Sequence, residues 1–306
     1  MKVQKTVSIK TLTVAAIACA AVLYSCKKDT ESPLNSTDSQ NVNSESVSAS
    51  TSNEAADLGN AVVSNVTNVQ LSTGRESGTI DGLGLKDRRL LGATITITPE
   101  PGTLKTNPSG TITIDYKTGV TTDGVTRKGK IIIVYHGMRL KPQSTRAITF
   151  DGFSRNSIKV DGTYNVTVID STATNTDVIV TFSHTTAITL TFANNTTLVR
   201  NASFNVVWDY VIANPSQSTI THKAGSTAEG TNRKGTGYTM AITKDVVYRA
   251  ECLLAGYELP VSGTKTFVVD QKTTYILDYG TTACDNTISV TINAKTVTIT
   301  VSGDGN

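Results

Sequence analysis

The sequence predicts an all-β fold, antiparallel and sandwich-like, built from hairpins and meanders behind an N-terminal leader. Three observations carry that expectation. From about residue 92, apolar and polar residues alternate with a period of two, as in ATITIT (93–98), TITIDY (111–116), VIVTF (178–182) and ITLTF (188–192). Threonine makes up about one residue in six, and its branched Cβ suits the solvent face of a pleated strand. Candidate strands recur every 8 to 12 residues with no helical pattern between them.

The chain opens with MKVQKTVSIK, which carries Lys2, Lys5 and Lys10 and no acid, followed by the apolar stretch LTVAAIACAAVLYS. That core is shorter than the ~20 residues a membrane-spanning helix needs, so the pattern reads as an export signal over residues 1–25. It ends in Leu23-Tyr24-Ser25-Cys26, which resembles a bacterial lipobox. Cys26 would then be the first mature residue, its sulfur carrying a diacylglycerol and palmitate-class acyl chains as a membrane anchor. The plainer alternative is an ordinary signal peptide with an incidental cysteine. Residues 26–56 are rich in Ser, Asn, Asp and Glu and poor in large apolar residues, which predicts a flexible tether.

Within 57–90 a short helix and a loop are expected. Ala55, Leu58, Val62, Val66 and Val69 recur at helical spacing over 53–70, although the many Asn and Ser residues leave a continued tether as the alternative. Residues 91–302 form the β region, as one large domain or as two with a boundary near 195–215. KIIIVY (130–135) is apolar on both phases and predicts a central strand covered on both faces, which favours two packed sheets. SFNVVWDY places Phe204, Val206, Trp208 and Tyr210 on one face. Asn194-Asn195, Asp161-Gly162 and Asn293-Ala294 are the expected turns.

Charge and cysteine usage narrow the function classes. Without the leader's three lysines the chain has 25 basic and 25 acidic residues, so no net charge argues for a nucleic-acid partner. Cys252 and Cys284 remain as an even pair in an exported chain. A disulfide between them would close a loop of about 31 residues; two buried thiols are the alternative. His136, His184 and His222 are isolated in sequence, and no zinc, phosphate-loop, dinucleotide or nucleophile-elbow motif is present. No cofactor, metal site or catalytic residue is expected, and the chain reads as a non-enzyme.

Three weaker features remain. Asp115 and Asp123 flank one loop, and Asp278, Asp285 and Asn286 flank a similar one. Turn capping is the preferred reading, with calcium binding or a glycosidase-type acid pair as alternatives. Arg127-Lys128 and Arg233-Lys234 each precede a glycine, as solvated loop charges, edge protection or a small basic patch for acidic glycans. Tyr135, Trp208, Tyr210, Tyr248 and Tyr257 could line a sugar-binding face, with core packing the favoured role for Trp208. Asp170-Ser171-Thr172 is similar to a short bacterial O-glycosylation acceptor.

Several stretches together resemble uncharacterised exported lipoproteins of Bacteroidota-type bacteria: SCKKD at the anchor, TITIDY with DGVTRKGKIIIVY, FDGFSRNSIKVDGTYNVT, GTNRKGTGYTMAI, PVSGTKT and ILDYGTTACDN. Such relatives often carry a cysteine where Val120 stands here. The resemblance implies a β-rich lipoprotein of the outer membrane, on its surface or periplasmic face, and no assigned activity. The expected role is therefore non-catalytic binding or scaffolding in the envelope, with a glycan or an envelope protein as partner. A surface glycan- or ligand-binding module is the alternative.

Overall fold

The computed structural model describes residues 34–73, 78–81, 87–100, 103, 107–281 and 283–301, with side chains of the first helix described through residue 63 apart from 60 and 61. Cys26 and the leader lie outside the described residues. Helix α1 spans Ser36–Thr73. The strands in chain order are β1 (Gly78–Asp81), β2 (Thr94–Pro99), β3 (Ser109–Asp115), β4 (Val120–Thr122), β5 (Val125–His136), β6 (Thr145–Arg155), β7 (Ile158–Ala173) and β8 (Asp177–Thr191). Then come β9 (Thr197–Val211), β10 (Thr219–His222), β11 (Thr227–Thr231), β12 (Gly237–Arg249), a short helix α2 (Ala250–Leu254), β13 (Ser262–Val269), β14 (Thr273–Asp278), β15 (Thr287–Ile292) and β16 (Lys295–Thr300).

The antiparallel β class holds, but as one continuous sheet. All sixteen strands belong to it, in the order β1-β2-β3-β5-β6-β7-β8-β9-β10-β12-β13-β14-β15-β16, with β4 on β5 and β11 alongside β9 and β12. Residues 195–215, the alternative domain boundary, lie in and around β9, which pairs with β8, β10 and β11 at the middle of this order. The second layer is not another sheet but α1. Asn41 and Glu54 sit about 20 Å apart along the helix. Their partners Tyr275 and Arg127 lie on β14 and β5, eight strand steps apart, or about 38 Å on a flat sheet. The sheet closes that gap by curling round the helix. Consecutive residues 41–48 are all buried, which leaves no face of those two turns in solvent.

This is a correction to the expected tether: residues 36–56 are the first half of a buried helix. Asn35 and Asp38 cap it reciprocally, the Asp38 N–H donating to Asn35 Oδ1 at 2.9 Å and the Asn35 N–H to Asp38 Oδ2 at 3.2 Å. The serines that argued against helix satisfy themselves within it. Ser46 and Ser52 donate to the carbonyls of Val42 and Ser48, and Ser48 donates to Glu45. Their small size lets the sheet approach. At Gly59 an added Cβ would already meet Ile148 Cδ1 at 3.0 Å.

The inner face carries the apolar phase of the strands: Ile112 and Ile114 on β3, Ile131, Ile133 and Tyr135 on β5, Phe204 and Val206 on β9, and Val290 on β15. KIIIVY is a central strand, as expected, but covered on one face only. Val134 on the outer face is 38% exposed, flanked by Thr111 and Ala147 rather than covered by a second sheet. The turns at Asn194-Asn195 and Asn293-Ala294 are present, with positive φ at Asn195, Asn293 and Ala294. Asp161-Gly162 is not a turn. Both residues lie within β7, and the chain reverses instead at Asn156-Ser157, with φ of 48° and 66°.

Candidate functional site

Charges on the apolar phase of the strands meet the acids of α1 inside the curl. Glu45, 1% exposed, pairs with Arg200 of β9 and with Lys265 Nζ of β13 at 3.6 Å; Arg200 also donates to Ser48 Oγ at 3.3 Å. Glu54 takes a fork of bonds from Arg127, Nε to Oε1 at 2.6 Å and Nη2 to Oε2 at 2.9 Å, and a third from Arg155 Nε at 2.9 Å. Burial pushes the Glu54 carboxyl up, but Arg155 and Arg127 outweigh it and hold it down at about 2. Asp57 is pushed up to about 6 by burial, against the weaker pull of Arg89 at 3.8 Å, which is itself clamped to Asp87 at 2.7 Å. Arg155 bonds Glu258 as well.

A second inner-face group has no acid. Arg146 of β6 is 2% exposed, and neither its Nε nor its Nη1 has a hydrogen-bond partner among the described residues. The buried Nε of Arg139, on the β5–β6 loop, is also unpartnered, and its guanidinium lies over the Trp208 ring at 5.5 Å. Burial, and then the neighbouring Arg139, pulls Arg146 down to about 10. His184 receives or donates a 2.8 Å hydrogen bond between Nδ1 and the Tyr164 hydroxyl, and its Nε2 is unpartnered. Burial and then the Arg146 charge take His184 down to about 3, so its ring is neutral. Ser144 Oγ, two residues before Arg146, is buried and unpartnered too.

The outer face offers a shallow trough of about 550 Å³ across β9, β11, β12 and β13, lined by Asn201, Ser203, Glu229, Thr239, Thr266 and Val268 among others. It holds none of the inner-face charges.

The residues singled out in the sequence are placed as follows. Cys252 and Cys284 form a disulfide that joins α2 to the β14–β15 loop, with Cα atoms 5.3 Å apart. Glu251 is beside them, but both sulfurs are spent in the bond, so no thiolate is there for a metal. The loop carboxylates act on their own backbone or on a neighbour. Asp115 Oδ1 accepts from Lys117 N at 2.7 Å, Asp278 Oδ1 from Gly280 N at 2.8 Å, and Asp285 Oδ1 from Thr287 N at 2.9 Å; Asp123 pairs with Arg88.

The two basic pairs do not meet; their lysines, Lys128 and Lys234, are exposed, and their arginines are buried. Arg127 is 3% exposed and serves Glu54, whereas Arg233 is buried over the Phe192 ring at 3.9 Å and Lys234 Nζ reaches Thr37 Oγ1. Thr37 and Glu54 are about 26 Å apart along α1. The aromatics form no outer row among the described residues: Tyr135 and Tyr248 are buried, Trp208 and Tyr210 are half-buried on the inner face with ring centroids 5.3 Å apart, and Tyr257 is half-buried. His222 is buried, His136 is exposed, and Asp170 and Thr172 stand exposed on β7.

Sequence reasoning missed Glu45, Glu54, Arg139, Arg146, Arg155, Arg200 and Lys265. For the strand residues a signal existed. Arg200 falls in phase with Leu198 and Phe204, Lys265 with Phe267, Arg146 with Ile148, and Arg155 with Phe153. A charge on the apolar phase is a buried charge, and it implies a partner.

No family model matches this chain, and no curated protein or solved structure matches it.

Proposed function

We propose that the chain is an outer-membrane lipoprotein, held by acyl chains on Cys26, that works as a non-catalytic binding or scaffolding protein of the cell envelope. The observation that carries this reading is the position of α1. Its cap at Asn35 lies nine residues behind the lipobox-like cysteine, and the helix then enters the interior, tied there by Glu45 and Glu54. At full extension nine residues span about 30 Å, so the acyl anchor would keep the sheet close to the bilayer. The inner ion pairs support a structural use of most of the buried charge: they fix the helix in its register. A second reading, a surface glycan- or ligand-binding module, is favoured by the outer trough, whose Asn, Ser and Thr side chains and Glu229 suit a polar ligand.

The test is metabolic labelling of cells with a palmitate analogue. Label and membrane fractionation are expected in the wild type, and both are lost in Cys26→Ser; an unlabelled wild type that fractionates as soluble would sink the lipoprotein reading. Proteinase treatment of intact cells then separates the two roles. Cleavage or release of the domain puts the trough on the cell surface, and resistance until the outer membrane is breached ends the surface-module reading.

A further inference from the structure

We propose that Arg146 and Arg139 form the receiving end of an oxyanion site that takes a phosphate or sulfate group; this deepens the binding reading above by naming a ligand class. The buried charges of the interior are unevenly matched. The acids that α1 sends inward at Glu45, Glu54 and Asp57 each face basic side chains of the surrounding chain. Arg146 faces none: among the described residues it has no ion pair, and its buried Nε and Nη1 have no hydrogen-bond partner. A guanidinium does not give up its proton at physiological pH, so it stays charged in the interior. An ion removed from water without a counter-charge is strongly destabilising. An anion from outside the chain would offset that cost.

The surrounding groups have matching polarity. Arg139 adds a second guanidinium, positioned by its stack on Trp208. In the tautomer in which the Tyr164 hydroxyl donates to Nδ1, the neutral His184 carries its proton on Nε2 and offers one more buried donor. Ser144 supplies a hydroxyl. Arg146 and His184 stand on the same face, both in register with Val166 of β7, two strand steps or about 10 Å apart at the backbone. Donors that approach from β6, from the β5–β6 loop and from β8 suit a tetrahedral group, which presents acceptors in several directions, better than a planar carboxylate. Tyr135, although the cross-strand neighbour of Arg146, is not part of this set, because its hydroxyl leans over Gly110.

The group is also well placed. Ile148, two residues from Arg146 on the same strand face, abuts Gly59, which lies about 33 Å along α1 from Thr37. The site therefore sits by the far half of the helix, away from the end that leads to Cys26.

The experiment is thermal unfolding and calorimetric titration of the mature full-length chain with inorganic phosphate, inorganic sulfate, glycerol phosphate and acetate, against chloride at equal ionic strength. Phosphate or sulfate is expected to raise Tm by several degrees in a saturable way, and acetate is not. Arg146→Met is expected to abolish that rise while leaving Tm in chloride unchanged or higher. Arg139→Gln, on a partly exposed loop, is expected to weaken binding at least tenfold with little change of Tm in chloride. Equal response to glycerol phosphate would assign the site to a phosphoryl group on a larger molecule, and response to the inorganic ions alone to a free ion. Equal Tm in all salts for the wild type overturns the proposal. So does a rise of the same size in the wild type and both variants, which is the general effect of excluded salts. If Arg146→Met does not fold, the wild-type titration and Arg139→Gln decide. Labelling at Cys26 is untouched by any of these outcomes, so failure here is distinguishable from failure of the envelope reading.

Discussion

Replacing Glu54 with glutamine should be among the most damaging isosteric changes in the helix. The carboxylate sits between Arg127 and Arg155 and is held at about 2, against an ordinary value of 4.5. That depression corresponds to about 3 kcal/mol of stability at neutral pH. The amide keeps the shape and loses the charge, leaving two buried guanidinium groups short of a counter-ion, which falls in the usual range for a broken buried pair. The sign of the pH dependence follows from the direction of the shift. A depressed carboxyl contributes fully above 4.5, and that contribution is lost as pH falls through about 2. The gap between wild type and Glu54→Gln in urea unfolding should therefore be about 3 kcal/mol at pH 7 and less than half of that at pH 3. A gap under 1 kcal/mol at pH 7, or one that does not shrink with acid, would refute the reasoning.

Four further outcomes are expected. Cys252→Ser combined with Cys284→Ser should lower stability by about 3 kcal/mol, read as a fall in Tm that reductant reproduces in the wild type. Gly162→Ala should cost about 3 kcal/mol or more, because the added Cβ would stand 2.1 Å from the Ala187 carbonyl oxygen at a φ of +116°. Gly124→Ala, where nothing lies within 4 Å, should cost about 1 kcal/mol for its positive φ alone; similar losses in the two variants would contradict the placement of β7 against β8. His184 is neutral when folded and titrates normally when unfolded, so its share of stability is present above about 6.5 and falls with acid, by about 2 kcal/mol at pH 5; His184→Gln should flatten the stability–pH curve over that interval.

The strands were legible because each buries one face, and a period of two survives in the sequence whenever one side is wet. Trp208 and Phe204 show this, falling on the inner face that their alternation predicts. The helix was not legible for the opposite reason. An amphipathic pattern needs a solvent side, and residues 41–48 have none. Their polarity is cancelled locally by serine-to-backbone bonds and at a distance by Arg200 and Lys265, so composition alone reads as a tether. KIIIVY misled in the reverse direction. Ile132 and Val134 contact β-branched and small neighbours across the outer face, which needs no second sheet above them. Asp115 and Asp278 cap their turns, as the preferred reading of the loop acids expects, while the tyrosines that follow them, Tyr116 and Tyr279, are buried. The charged interior was the hardest part, because each pair joins residues 70 to 220 positions apart.

Hydrogen–deuterium exchange of the mature chain tests the central claim most directly, namely that a polar helix fills the sheet. The amides of residues 41–58 are expected to exchange as slowly as those of β8 and β9, since they open only when the sheet uncurls. Exchange of that segment within seconds, while β8 and β9 stay protected, would return it to a tether and remove the helix from the core.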